Sequence, residues 1–258
     1  MEEQKKVLLA GIIFVVIVVI GAAIYYFFIY QKPGPAKDMT QMAQEPIPTK
    51  EKIKPEEEEV EPLQVDLDES DALVRDLVEE LSSHPKLALW LMTDDIIRKF
   101  VAAVDNIANG HNPKPQIDFF KPEGSFLVKE EDGETFIDPE SYRRYDSVAE
   151  VFLSLDTKGC ATLYKKLRPT MQDAYKELGY PEGDFQTTLR KAIRELLNVP
   201  IVNKNIHVVK DVVTYKMTDP ELESLSQAQK QLLRMGPENV RRIQAKLKDI
   251  AQALGFQE

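Results

Sequence analysis

From residue 70 onward, apolar side chains recur at intervals of three and four, the spacing that places them on one face of an α-helix. Ser70 and Asp71 precede Leu73, Val74, Leu77, Val78 and Leu81, which share such a face. A short apolar segment, residues 87–92, follows His84-Pro85. Thr93 stands where a cap belongs, ahead of a predicted helix over 94–109 that turns Ile96, Ile97, Phe100, Val101, Val104 and Ile107 inward and stops at Gly110. Residues 125–128 and 135–137 are short enough for strands, and Glu131-Asp132-Gly133-Glu134 between them suits a hairpin turn.

Helical spacing resumes at Asp138-Pro139, a cap followed by proline in the first turn. Further helices are predicted over 147–155, 157–167, 169–178 with Gly179 as stop, and 184–197. Residues 201–217 break the pattern: their valines and isoleucines, with a polar break at Lys210-Asp211, predict a second small hairpin. Asp219-Pro220 opens a helix running to Met235, and Gly236-Pro237 ends it and starts the last, whose stripe is Val240, Ile243, Leu247, Ile250 and Leu254. The predicted fold class is therefore mainly α: a multi-helix domain over 63–258 with two small β-hairpins. If 139–155 is one unbroken helix, Arg144 falls within the arc of Tyr145, Val148, Val151, Phe152 and Leu155 and is buried. A buried guanidinium requires a carboxylate, and Asp105, at the edge of its own helix's arc on the side of Arg98, is the expected partner.

The first thirty residues follow a different rule. Residues 7–30 are 24 positions without a charge, enough for a helix of roughly 36 Å across a hydrocarbon core of about 30 Å. Tyr25, Tyr26, Phe27, Phe28 and Tyr30 then fall where headgroups lie. The expectation is a single N-terminal transmembrane helix after a short tail, 1–6. A cleaved signal is the competing reading, with Gly21-Ala22-Ala23 as its cleavage site, but the apolar run continues past Ala23 beyond the usual length of such a segment. Lys5 and Lys6 on one side balance Lys32 and Lys37 on the other; the free α-amino group tips the balance towards a cytoplasmic N-terminus and an outward-facing domain, periplasmic in a bacterium. Residues 31–62, with six prolines, one glycine and the acidic run Glu56-Glu57-Glu58-Glu59, lack the apolar residues to bury a core and read as a disordered linker.

The net charge of −10 argues against nucleic acid as a partner. Cys160 is the one cysteine, so no intramolecular disulfide forms, and it reads as a small core residue. His84, His111 and His207 lack the spacing of metal ligands on one helix face, and neither a phosphate-binding Gly-rich loop nor a Gly-x-Ser-x-Gly elbow occurs. No catalytic residue, metal or cofactor is assigned. Tyr142-Arg143-Arg144-Tyr145-Asp146 is the densest polar-aromatic cluster; it suits an anion or sugar site, or equally an ion-paired helix turn with tyrosines at the edge of the core.

Several motifs in matching order carry a resemblance: Asp68-Glu69-Ser70-Asp71, Val101-Ala102-Ala103-Val104-Asp105-Asn106 ending in Gly110, the Tyr142 to Asp146 cluster, Ala174-Tyr175 with Leu178-Gly179, and Leu232-Leu233-Arg234-Met235-Gly236-Pro237-Glu238-Asn239. Over about residues 63–254 the chain resembles the bacterial domain of unknown function catalogued as family 3014, whose members pair one N-terminal membrane span with this domain. The resemblance implies a Gram-negative envelope protein and no assigned activity. Candidate binding residues on these motifs are Asp105, Asn106, Tyr142, Arg143, Arg144, Tyr145, Asp146, Tyr175, Arg234 and Asn239. The expected function is a non-enzymatic, membrane-tethered module that binds an envelope protein or cell-wall partner. The alternatives are a hydrolase or lyase on an envelope polymer, using Asp105, Tyr145 and Asp146, and an assembly factor docking through its terminal helices.

Overall fold

The computed structural model describes residues 60–116, 122, 124–212 and 214–256. The expected span over 7–30 and all but the last three residues of the linker lie outside them. No described helix is long and apolar enough to cross a membrane.

A 3-10 turn, Leu67–Glu69, leads into α1, Asp71–Glu79, then α2, Pro85–Trp90, and α3, Ile96–Ala108. A hairpin follows, β1 Val128–Glu131 and β2 Glu134–Ile137. Four helices come next: α4, Glu140–Arg143; α5, Asp146–Ser154; α6, Thr157–Glu177; and α7, Phe185–Leu197. A second hairpin, β3 Val208–Asp211 and β4 Thr214–Met217, precedes α8, Pro220–Glu223, α9, Gln227–Leu233, and α10, Gly236–Ala253. The mainly helical expectation with two small hairpins holds for the domain.

The core lies where α3, α6, α7 and α10 meet. Val101, Val104, Leu167, Met171, Ala174, Leu189, Ile193, Val240, Ile243 and Leu247 are buried together there. α3 and α7 share the most extensive helix contact. Gln244, itself buried, sends its carboxamide to the carbonyls of Leu196, Leu197 and Val199 at 2.9–3.1 Å, closing the C-terminus of α7. A smaller cluster of Leu87, Leu91 and Val151 seats α2 on α5.

The hairpins are antiparallel, with Val128 opposite Ile137 and Val208 opposite Met217. In the first, Asp132 and Gly133 both take positive φ, 54° and 79°, as the two-residue turn anticipated from Asp-Gly requires. The hairpins join through a bridge between Phe136 and His207, supported by Ile137 N–H donating to the Ile206 carbonyl at 3.0 Å.

Four local expectations are corrected. Residues 157–177 form one helix rather than two, with Pro169 inside it. Pro169 withdraws one N–H; beside it Leu63 N–H donates to the Lys166 carbonyl at 2.7 Å, and buried Thr170 accepts from Val65 N–H at 3.2 Å, so an extended segment is bound where α6 is weakest. The second hairpin turns after Asp211, with Val212 at φ 36°, so Lys210-Asp211 is strand rather than turn. The helix expected from Asp219 to Met235 divides at Ser224-Leu225-Ser226, because Ser226 and Gln229 form a reciprocal capping box that starts α9 afresh. Residues 139–155 break at Arg144-Tyr145, between α4 and α5.

That break removes the basis for burying Arg144. The residue is half-buried, its guanidinium 5.7 Å from the centre of the Tyr145 ring. Asp105 is engaged elsewhere: its carboxylate accepts from Asn109 Nδ2 at 3.1 Å and from the Tyr180 hydroxyl at 3.5 Å.

Candidate functional site

The ten candidate residues separate into two regions. Seven of them stand at the junction of α4 and α5 with α9 and α10. Asn239 is buried and donates through Nδ2 to Asp146 Oδ1 at 2.8 Å and to the Met235 carbonyl at 3.0 Å. Tyr145 is buried and its hydroxyl accepts from Gln231 Nε2 at 3.4 Å. Tyr142 lies against Gly236, whose φ of 84° puts the glycine's open side towards the ring. Burial pushes the Tyr142 phenol above its usual range. Arg143 is exposed and pairs with Glu140 at 2.7 Å; Arg234 is half-buried, and the Glu223 carboxyl is held below its usual range chiefly by its hydrogen bond from Lys230, with the Arg234 charge adding to it. Tyr142, Tyr145, Asp146 and Asn239 thus join helices to one another, and Arg143, Arg144 and Arg234 rim the joint.

The other three, Asp105, Asn106 and Tyr175, belong to α3, α6 and what packs beside them. Asn106 faces the loop that follows α3: its Nδ2 donates to Gln116 Oε1 at 2.9 Å and its carbonyl accepts from His111 N–H at 2.7 Å. Tyr175 is buried, with its hydroxyl 2.8 Å from that of Thr188. Its ring stacks on Tyr180, centres 4.7 Å apart and planes at 15°, and continues through Phe185 to Phe100. Tyr180 and Phe100 stay 40% and 41% exposed at the ends of this row.

Alongside the aromatic row, Arg98, Ala102, Asp105 and Asn109 are spaced four, three and four apart, so one face of α3 carries them all. Arg98 gathers three carboxylates: Glu177 at 2.6 Å, Asp68 at 2.8 Å and Asp95 at 3.0 Å. The guanidinium in turn holds the Glu177 carboxyl below its usual range through their hydrogen bond. Asp105 accepts from Tyr180 midway along, and its negative charge pushes that phenol up. Lys191 of α7 donates to Asn109 Oδ1 at 3.2 Å at the far end. Cation, small side chain, carboxylate, carboxamide and ammonium therefore follow one another beside an exposed phenol ring stacked on Tyr175. Such a surface offers hydrogen-bond donors and acceptors together with an apolar face.

Tyr180, Asn109 and Lys191 were not among the residues singled out from the sequence, and Phe100, expected on the inward face of its helix, stands exposed at the end of the row instead. The one local sign was an aromatic set between Gly179 and Pro181 in a turn, where a large exposed ring has no folding role of its own. Asp105 and Asp146 belong to different junctions and are each engaged by uncharged donors. Cys160 is half-buried, and burial pushes its thiol up, away from a reactive thiolate. Among the described residues no group of three or more histidine, cysteine or carboxylate side chains is placed to hold a metal ion.

Fold and surface together define a helical domain with a polar-aromatic face on α3. Residues 96–251, more than half of the chain, match the family model described as Protein of unknown function (DUF3014), and the chain belongs to that family. The match starts at the first residue of α3, so Asp68-Glu69-Ser70-Asp71 lies outside it, and the matched range is shorter at both ends than the expected 63–254. No curated protein and no solved structure matches the chain.

Proposed function

We propose that this protein is a membrane-tethered, non-enzymatic binding module of the bacterial envelope, anchored through residues 7–30 and presenting its helical domain to the periplasm, and that the face of α3 beside Tyr180 receives a cell-wall polymer. The observation that carries the reading is Tyr180 itself: stacked on Tyr175 and tethered to Asp105, it keeps 40% of its surface open to solvent. A ring already fixed in place loses little entropy on contact, and the neighbouring carboxylate and carboxamide supply acceptors for hydroxyl and amide groups. Glycan strands with peptide side chains present both apolar C–H faces and such donors. The hydrolase or lyase alternative has no observation in its favour, since its three candidates Asp105, Tyr145 and Asp146 do not converge on one site.

Cosedimentation of the full-length protein with purified cell-wall sacculi tests the reading. Wild type is expected to pellet with them, and Tyr180→Ala and Asp105→Ala to weaken retention about tenfold or more, the loss of roughly 1.4 kcal/mol. Absence of wild-type binding, or equal binding by Tyr180→Ala, overturns it. Sidedness is checked separately by a C-terminal reporter enzyme that works only outside the cytoplasm; an inactive reporter reverses the topology.

A further inference from the structure

Helix α2 carries apolar side chains outward as well as inward. Leu87, and Leu91 just past the helix end, are buried with Val151 of α5, and half-buried Trp90 lies against the same cluster. On the outer side Leu89 stays 61% exposed and Met92 76%. The Met92 N–H donates to the Leu89 carbonyl at 3.4 Å, so the helical turn continues and the two side chains are neighbours on its surface. A surface helix ordinarily turns polar residues outward, and an apolar outer side is the mark of one that something else covers. Charge is sparse here too. Between Glu80 and Asp94 the chain has no acidic residue, although 43 of its 258 residues are acidic. Within that stretch Lys86 donates to Ser147 Oγ at 2.7 Å, and beyond it the exposed Asp94 is offset by Arg75 at 3.6 Å.

We propose, on the reading that residues 7–30 anchor the chain, that the outer side of α2 docks on the surface of that same bilayer, with Leu89 and Met92 entering the headgroup region and Trp90 beside them. A flexible linker over 31–62 spans about 30 Å on average, which keeps the domain near the lipid at an effective concentration on the order of millimolar. Two exposed side chains fall far short of the roughly 1,000 Å² that a second copy or a free protein partner needs for a stable interface. They suffice for a surface that the tether already holds within reach, because each apolar group taken out of water adds its own increment. Leucine and methionine beside a tryptophan, without a neighbouring acid in the helix, suit the boundary between hydrocarbon and headgroups. The contact gives a loosely tethered domain a fixed orientation. None of these residues belongs to the face of α3.

Trp90 is the chain's one tryptophan, so its emission reports on α2 without any label. Full-length protein is reconstituted into phosphatidylcholine vesicles with and without bromine on the acyl chains. Brominated lipid should quench Trp90, and the quenching should persist at high salt, because apolar burial rather than charge drives the contact. Leu89→Ser combined with Met92→Ser leaves buried Leu87 and Leu91 in place and should lose most of the quenching. Leu178→Ser, at an exposed apolar position just past α6, should leave it unchanged. An alkaline wash of the vesicles separates this contact from the anchor. Protein that stays with the washed vesicles while Trp90 is unquenched, or is quenched equally in the double variant, overturns the docking of α2 and leaves the anchor standing; a second copy covering the face would give the first of these results. Protein that washes off overturns the anchor, and the docking with it.

Discussion

The carboxylate of Asp71 caps a helix to which it does not belong: from α1 it accepts the backbone N–H of Ile96, first residue of α3, at 2.9 Å, and that of Asp95 at 2.7 Å. Asp95 at the local cap position adopts a left-handed conformation, φ 55°, and its side chain makes no capping bond. Asp71→Ala is therefore expected to destabilise the domain by about 1 kcal/mol, within the usual range of about 0.5–2 for a lost cap. Asp71→Asn, which retains an acceptor, should lose less. Urea denaturation measures both; equal midpoints for Asp71→Ala and wild type would show that the bonds from α1 are dispensable.

Gly236 is required by its neighbour as well as by its backbone. A methyl group there would lie 2.6 Å from both Cβ and Cγ of Tyr142, whereas one on Gly179, also at positive φ, would meet nothing within 4 Å. Gly179→Ala should cost about 1–2 kcal/mol for the left-handed conformation alone. Gly236→Ala should cost a further 1–3 kcal/mol or so for overpacking. The difference between the two midpoints is the test, and its absence would mean that Tyr142 moves aside freely.

Asn239→Ala leaves the Met235 carbonyl and Asp146 without their buried donor, an expected loss of about 1–3 kcal/mol. Asn239→Asp is expected to be worse at neutral pH, because a second carboxylate would face Asp146. Like charges raise the folded-state pKa, so this added penalty should shrink as the pH falls through the carboxylate range. A deficit in Asn239→Asp that does not depend on pH would place the cause in shape rather than charge.

The Glu177 carboxyl is held low by Arg98, and that of Asp173 by Lys176 and Gln64. A folded-state pKa below the unfolded value contributes stability above the unfolded pKa and loses it as pH falls through the folded one. Both groups should therefore add to acid sensitivity below about pH 4. Because these side chains are half-exposed, the effect should also weaken with salt. Carboxyl NMR titration of Arg98→Gln should return Glu177 to its ordinary range and leave Asp173 unmoved; an unchanged Glu177 would assign its shift to something other than Arg98.

Most helices and both hairpins were legible because their signals are local. Asp184 before Phe185, Asp132-Gly133 between two strands, and Gly236-Pro237 each state a cap, turn or boundary within a few residues. The errors fell where local signals conflict. Pro169 reads as a helix boundary, yet α6 continues through it, and Leu63 and Val65, more than a hundred residues earlier, bind the backbone and side chain beside it. Arg144 was placed by a periodicity that held only while 139–155 stayed one helix. Of the candidate residues, Tyr142, Tyr145, Asp146 and Asn239 were identifiable as motif members, but their partnership across 93 residues between Asp146 and Asn239 was not.

The sequence by itself determined the mainly helical character, the two hairpins, the apolar faces and the motifs of the family, because hydrophobic period, capping and turn chemistry act between residues a few positions apart. Tertiary structure alone decided that Asp71 caps α3, that Arg98 gathers Asp68, Asp95 and Glu177, and that Tyr180 stacks on Tyr175 beside Asp105. Most of these relations join different segments of the chain; their geometry follows from how α3, α6 and α7 pack, and packing depends on the whole core at once rather than on any local pattern.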